Sequence, residues 1–217
     1  RKEGHAENMA KEIWKPGNML YPLPVVLVSV ADRDGRYNLL TVAWAGTVCT
    51  NPPMVSISVR PERYSYPILR ETGEFVINLT TRELACATDY CGVKSGRDVD
   101  KFRELGLTPL SGTKVSAPLL GESPVNIECK VTRMMPLGSH HMFLAEVMAV
   151  HADEKYMDER RRFHLEKAEP IVYSHGAYFV CGEQLGTFGY SVNTLPKEVS
   201  LSCGFAWSMC IQSGKSD

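Results

Sequence analysis

The chain has 217 residues, 44% of them hydrophobic and 23% charged, and 24 Lys+Arg stand against 25 Asp+Glu for a net charge of −1. This composition excludes a disordered or fibrous chain, and the charge balance argues against a nucleic-acid partner. The longest apolar run, residues 22–30, contains Ser29 and two prolines; a membrane span needs roughly 20 apolar residues, so no membrane segment is expected.

Residues 1–12 read as a lead. No signal peptide is visible, and Met9 offers a natural start, so residues 1–8 read as an upstream remnant. The dominant period thereafter is two, the mark of strands with one buried face. Residues 23–30 are nearly continuous and apolar, which predicts a fully buried strand. Asp32-Arg33-Asp34-Gly35 has the chemistry of a hairpin turn. A second strand is predicted over residues 38–48, bending at Gly46, and a third over 54–59. A helix is predicted over 64–72, closed by Gly73, then a strand over 74–79. Thr80 or Thr81 can cap a helix reaching Tyr90, followed by a glycine-punctuated loop over 91–96 and a short helix over 98–105. Residues 125–134 alternate, with Val125, Ile127, Cys129 and Val131 on one face and Asn126, Glu128 and Lys130 on the other. Residues 140–150 are the expected hairpin partner. Residues 153–163 are a charged surface excursion, and 171–173 read as a last short strand before an irregular, glycine-rich remainder. Strands this numerous, with short helices between them, suggest a closed antiparallel barrel.

Seven cysteines stand at 49, 86, 91, 129, 181, 203 and 210, an odd number without a C-x-x-C pair. Reduced thiols in a cytoplasmic protein are therefore expected, rather than disulfides or a zinc ribbon. No two glycines lie two apart, so the Rossmann fingerprint is absent, as are the phosphate loop and the nucleophile elbow. His140 and His141 alternate across a strand and cannot share one metal ion. Any nucleotide must be held by strands and loops.

The residues from Arg60 to Ser65 join a strand to a helix. Arg60, Arg63 and the Ser65 hydroxyl stand near that helix's N-terminus, where an anion is favoured. Surface arginines with an ordinary serine cap is the plain alternative. Lys101 reads equally as a solvated helix face, Trp44 as core, Asn38 as a turn residue and His140 as a surface side chain.

The order of motifs resolves part of this. Asn38-Leu39-Leu40-Thr41-Val42-Ala43-Trp44-Ala45-Gly46 is followed by Asn51-Pro52-Pro53-Met54-Val55-Ser56-Ile57-Ser58-Val59-Arg60-Pro61. Next come Arg63-Tyr64-Ser65-Tyr66, Gly73-Glu74-Phe75-Val76-Ile77-Asn78 and the stretch from Asp89 to Phe102. Gly138-Ser139-His140-His141-Met142-Phe143 and Leu185-Gly186-Thr187-Phe188-Gly189 complete the series. This series resembles the flavin-reductase-like, FMN-binding split-barrel family, in particular its flavoredoxin group.

The resemblance implies a mainly β (α+β) chain, a six-stranded antiparallel Greek-key split barrel over residues 13–192. It implies a homodimer, with one FMN per subunit. The expected function is electron transfer through the flavin, with NAD(P)H or a redox partner protein as donor. A non-redox module holding a flavin or haem on the same barrel is the alternative. The implied phosphate contacts are Arg60, Arg63 and Ser65, with Tyr64, Lys101 and Ser95 as further flavin-binding residues. Asn38 would reach the ribityl chain or ring edge. Backbone groups of Val42, Ala43, Ser58 and Val59 would meet the ring's polar atoms. Trp44, Cys49, His140 and Tyr173 would line its pocket. No protein group is expected to act as a catalytic nucleophile, acid or base. Residues 193–217 exceed the family pattern, and the bulky apolar groups of 202–211 suggest packing on the partner subunit.

Overall fold

The computed structural model describes residues 11–193. Two compact units divide the chain, Arg1–Cys181 and Gly182–Asp217. The first carries β1 (Leu23–Pro24), β2 (Val26–Ala31), β3 (Tyr37–Val42), β4 (Ala45–Cys49), β5 (Met54–Val59), α1 (Ser65–Thr72) and β6 (Glu74–Leu79). It continues with α2 (Ala85–Val93), α3 (Lys101–Leu105), β7 (Pro109–Leu110), β8 (Leu119–Leu120), β9 (Val125–Pro136), β10 (His141–Ala152), β11 (Ile171–Ser174) and β12 (Ala177–Val180). The second unit's described residues include one short helix, α4 (Tyr190–Asn193). The lead residues 1–10 and the apolar tail from 194 onward lie outside the described residues.

One antiparallel sheet runs β3-β2-β6-β9-β10-β5-β4. Its two outermost segments are consecutive in the chain, separated only by Ala43 and Trp44. They are halves of one bent strand, so the sheet closes into a barrel of six strands and its edges disappear. β2, the bent strand and β5 are successive neighbours, and β6 returns beside β2. That 4-1-2-3 order is a Greek key.

The bend falls at Ala43–Trp44, not at Gly46. There the strand leaves its β2 partner, at Val42 opposite Val26, and joins β5, at Ala45 opposite Ile57. The change of partner sets the kink, whereas Gly46 pairs regularly with Ser56.

β2 is buried along its whole length because both its faces are covered. Val26, Val28 and Val30 fill the barrel with Leu40, Phe75 and Phe143. Leu27 faces outward and packs with Leu39 beneath Leu84, Ala87 and Cys91 of the α2 region and Phe102 of α3. The helices differ slightly from expectation. α2 has no side-chain cap, because Thr80 Oγ1 instead donates to the Val25 carbonyl at 2.5 Å. Thr81 Oγ1 accepts from Leu84 N–H one turn early, at 3.4 Å. α2 then runs through Gly92 to Val93, absorbing the start of the expected loop. Asp100 caps α3, accepting from Arg103 N–H, so that helix begins three residues later than expected. β12 was not legible as a strand; it extends the final strand into a hairpin and supplies Tyr178.

On the polar face of β9, Asn126 and Glu128 are also buried, whereas Lys130 is exposed. Residues 111–120 lie across this face as a strap, with Val115, Ala117 and Leu119 packed on Val76. Asn126 donates to Asn78 Oδ1 at 2.7 Å and to the Leu120 carbonyl at 2.9 Å. Glu128 is fully buried and gathers the strap: it accepts from the N–H groups of Thr113, Lys114 and Val115, from Thr113 Oγ1, and lies 2.5 Å from His151 Nε2. Burial alone would raise the Glu128 carboxyl; the bonds from His151, Thr113 and Lys114 outweigh it and hold the group at about 2.

A carboxylate depressed in the folded state stabilises the fold above its unfolded value and loses that contribution as pH falls. Glu128 therefore contributes fully above about pH 4.5 and progressively less toward about pH 2. The Glu128→Gln variant is expected to lose about 3 kcal/mol at pH 7. Urea unfolding at pH 7 and pH 3 measures both effects, and the gap between wild type and variant narrows at the lower pH.

Candidate functional site

A cleft opens where the closing strand bends. Two cavities of about 350 and 580 Å³ share Leu40, Arg60 and Arg63 in their walls and form one continuous groove. Both lie in the size range of small-molecule sites, roughly 300–1,000 Å³.

The first lobe is walled by Val42, Ala43 and Trp44 from the bend, Ser58 and Val59 from β5, His140, and Tyr173 and Tyr178 from the β11–β12 hairpin. Trp44 is 37% exposed, so its ring is not core packing. It lies parallel to the His140 ring, with centroids 6.0 Å apart and an interplanar angle of 5°. Tyr178 donates to Asp89 Oδ1 at 3.0 Å. Burial, reinforced by Asp89, pushes the Tyr178 phenol up to about 12, so it stays protonated. His140 points into the cleft while His141 faces the core and meets the Tyr66 hydroxyl at 2.5 Å. Burial lowers the proton affinity of His140, and Arg60 and Arg63 lower it further against the opposing pull of Glu62. The ring is therefore a neutral hydrogen-bonding group at pH 7.

The second lobe is walled by Asn38, Tyr64, Ser65, Ser95, Gly96, Arg97 and Lys101, with Lys94 and Glu62 at its rim. Asn38 lies within β3 rather than in a turn, and its Nδ2 donates to Ser65 Oγ at 2.7 Å. Ser65 is the first residue of α1 and fully buried, and it does not cap the helix. Lys101 is 3% exposed, not a solvated face. Its ammonium donates to the carbonyls of Leu39 at 2.7 Å and Cys91 at 2.9 Å. Arg63 donates to the Gly92 carbonyl at 3.0 Å.

Cys91 and Gly92 belong to the last turn of α2, whose carbonyls lack helical partners and carry the negative end of the helix dipole. That helix end thus holds two cations beside the cleft. Burial lowers the Lys101 ammonium, and Arg63 adds to this against the pull of Cys91. Gly92 lets α2 approach β3 closely: a Cβ there would meet Thr41 Cβ at 3.4 Å. Among the described residues, no carboxylate pairs with Arg60, Arg63, Lys94, Arg97 or Lys101.

One expectation needs correction and one is narrowed. Cys49 ends β4 opposite Met54 and takes no part in the cleft wall, because the bend at Trp44 carries the chain away before it. Ser58 does line the first lobe, but its N–H is committed to the Trp44 carbonyl at 2.8 Å, which narrows the expectation to its other groups. Lys94, Arg97, Asp89 and Tyr178 line the cleft and were given no site role, although they lie in motifs that carry the resemblance. The first three lie around Ser95, from Asp89 in α2 to Arg97, where a cluster of charges was the available signal. Burial raises the Cys91 thiol to about 11, partly offset by Lys101, which leaves it inert as a nucleophile. Among the described residues there is no cluster of His, Cys, Asp and Glu fit for a metal ion, and no helix long and apolar enough to cross a membrane.

The fold and cleft have relatives. The flavoredoxin of Desulfovibrio vulgaris (Miyazaki F) is 34% identical, superposes with a TM-score of 0.78, and matches 85% of this chain and 100% of its own. The flavoredoxin of Methanosarcina acetivorans is 27% identical with a TM-score of 0.75, over 84% of this chain and 100% of that one. An uncharacterized protein of Aeropyrum pernix is 31% identical over 156 residues, 71% of this chain and 58% of its own length. The flavin reductase like domain matches residues 18–182, nearly the whole of the barrel and its hairpins, and the chain belongs to that family.

Proposed function

We propose that the cleft binds FMN and that the protein is a flavin-dependent oxidoreductase, passing electrons from NAD(P)H or a redox partner protein to an acceptor. The observation that carries this reading is the polarity of the cleft. The first lobe offers the flat rings of Trp44, His140, Tyr173 and Tyr178, and Lys94, Arg97 and Lys101 belong to the second alone. Arg60 and Arg63 stand where the two meet, and among the described residues none of these cations is paired with a carboxylate. A flavin mononucleotide has that division, a planar ring at one end and a dianionic phosphate at the other. The donor set fits the group: guanidinium forks suit phosphate oxygens, and Asn38 and the backbone at Ala43 suit a polar chain between them. A homodimer in the cytoplasm is part of the proposal.

When bound, the flavin supplies the hydride- and electron-transfer chemistry, which needs no protein nucleophile. The chain's own residues position and shield it. Val42, Ala43 and Trp44 form a wall that excludes water from one side. Arg60, Arg63 and Lys101 raise the local positive potential, which favours negative charge developing in the cleft. His140, held neutral, can donate or accept a hydrogen bond at the Trp44 end. Its Nδ1 lies 2.9 Å from Ser139 Oγ, which fixes the ring's orientation.

FMN and riboflavin differ only in the phosphate, so they separate the two lobes. The Arg60→Gln and Arg63→Gln variants are each expected to bind FMN about tenfold more weakly, the worth of one charge-assisted hydrogen bond, with riboflavin affinity unchanged. Fluorescence titration reads both, and an equal loss of riboflavin would place the arginines outside the phosphate site. Anaerobic addition of NADH or NADPH to the FMN-loaded protein is expected to bleach the flavin absorbance. Bleaching only with a reduced partner protein assigns the carrier role, and no redox change with any donor leaves the non-redox binding module.

A further inference from the structure

Among the described residues that wall the first lobe, Asp89 is the one carboxylate. It stands on α2, just before the turn whose Cys91 and Gly92 carbonyls hold Lys101 and Arg63. Arg60, Arg63 and His140 line the same lobe, yet among the described residues no cation pairs with Asp89. Its side chain is instead engaged by a neutral group, the Tyr178 hydroxyl, which donates to Oδ1 at 3.0 Å.

Tyr178 reaches Asp89 from a fixed frame. It pairs with Tyr173 across the β11–β12 hairpin, with the two ring centroids 5.7 Å apart. Tyr173 in turn pairs with Leu23 of β1, the segment that leads into β2. The choice of partner has an electrostatic consequence. A carboxylate in the lobe opposes negative charge that develops there, whereas Arg60 and Arg63 favour it. An arginine on Asp89 would cancel the opposing charge. A phenol that keeps its proton weakens the field of the carboxylate and leaves the charge in place.

We propose that Asp89 and Tyr178 set how strongly the first lobe favours reduced over oxidised flavin. Asp89 is the opposing charge, and Tyr178 is the positioning residue that moderates it. The inference rests on the flavin reading and deepens it, because it names the groups that adjust the redox potential of the site.

The midpoint potential of the FMN-loaded full chain, measured by anaerobic reduction against a reference dye, tests the pair. Wild type is compared with Asp89→Asn, Tyr178→Phe and the double variant. Asp89→Asn removes the charge and keeps the shape. It is expected to tighten reduced FMN about fivefold relative to oxidised FMN. For a two-electron couple, at about 30 mV per tenfold, that is a rise of about 20 mV. Tyr178→Phe keeps the ring and strips the donor from the carboxylate, so the same ratio is expected to fall about threefold. In the Asp89→Asn background Tyr178→Phe is expected to change nothing further, because Tyr178 acts through Asp89. Asp89→Ser, at an exposed position of α2, serves if Asp89→Asn fails to fold. Potentials that stay at the wild-type value in both single variants, with FMN bound, overturn the inference and leave the flavin reading standing. A Tyr178→Phe shift of equal size with and without the Asp89 carboxylate also overturns it. A chain that takes up no FMN overturns the flavin reading and this inference together.

Discussion

The hydrogen bond from Ser58 N–H to the Trp44 carbonyl carries the β4–β5 ladder one residue past Ala45 and Ile57, up to the bend that closes the barrel. Six strands close without a free edge only if one strand pairs with β2 along its first half and β5 along its second. Ala43 and Trp44 lie between those two ladders. Their backbone must turn, and the turn leaves a gap in the barrel wall. The Ser58 bond holds the far side of the bend on β5. Trp44 then stands partly exposed with its ring parallel to His140, and the cleft begins there. The same constraint closes the fold and opens the site.

The second half of the cleft depends on α2. Cations gathered in a small space repel one another and need fixed partners. The last carbonyls of α2 supply them, holding Lys101 through Cys91 and Arg63 through Gly92. Because these partners are neutral dipoles, the cations keep their charge available to a ligand, as they would not if paired with carboxylates. The buried Lys101 also reaches the Leu39 carbonyl on β3 and so ties the loop side of the cleft to the barrel. Burial is the main reason that His140 holds its proton weakly, and the two nearby arginines add to it.

The strands were legible because period-two alternation survives wherever a face meets the barrel interior, as in β5 and β10. β2 was legible for a different reason, a continuous apolar run buried on both faces. Features set by tertiary partners were not. The bend position depends on which neighbour each residue pairs with, and glycine at 46 pointed to the wrong place. Glu128 looked like an exposed polar position because nothing local announces that residues 111–120 fold over it. Much of the cleft wall could be named from ordered motifs, including Asn38, Ser65, Lys101 and His140. Their bonding could not: the Asn38–Ser65 pair joins residues 27 positions apart. Cys49 was included by proximity in sequence to Trp44, and the bend separates them.

The central claim is that the polarity of the cleft matches a flavin mononucleotide, and a crystal structure of the protein with FMN tests it most directly. The account predicts the phosphate within hydrogen-bond distance of Arg60 or Arg63 near the start of α1, and the ring along Val42, Ala43 and Trp44 beside His140. A flavin bound elsewhere on the barrel, or bound here with its phosphate directed toward Trp44, would contradict it.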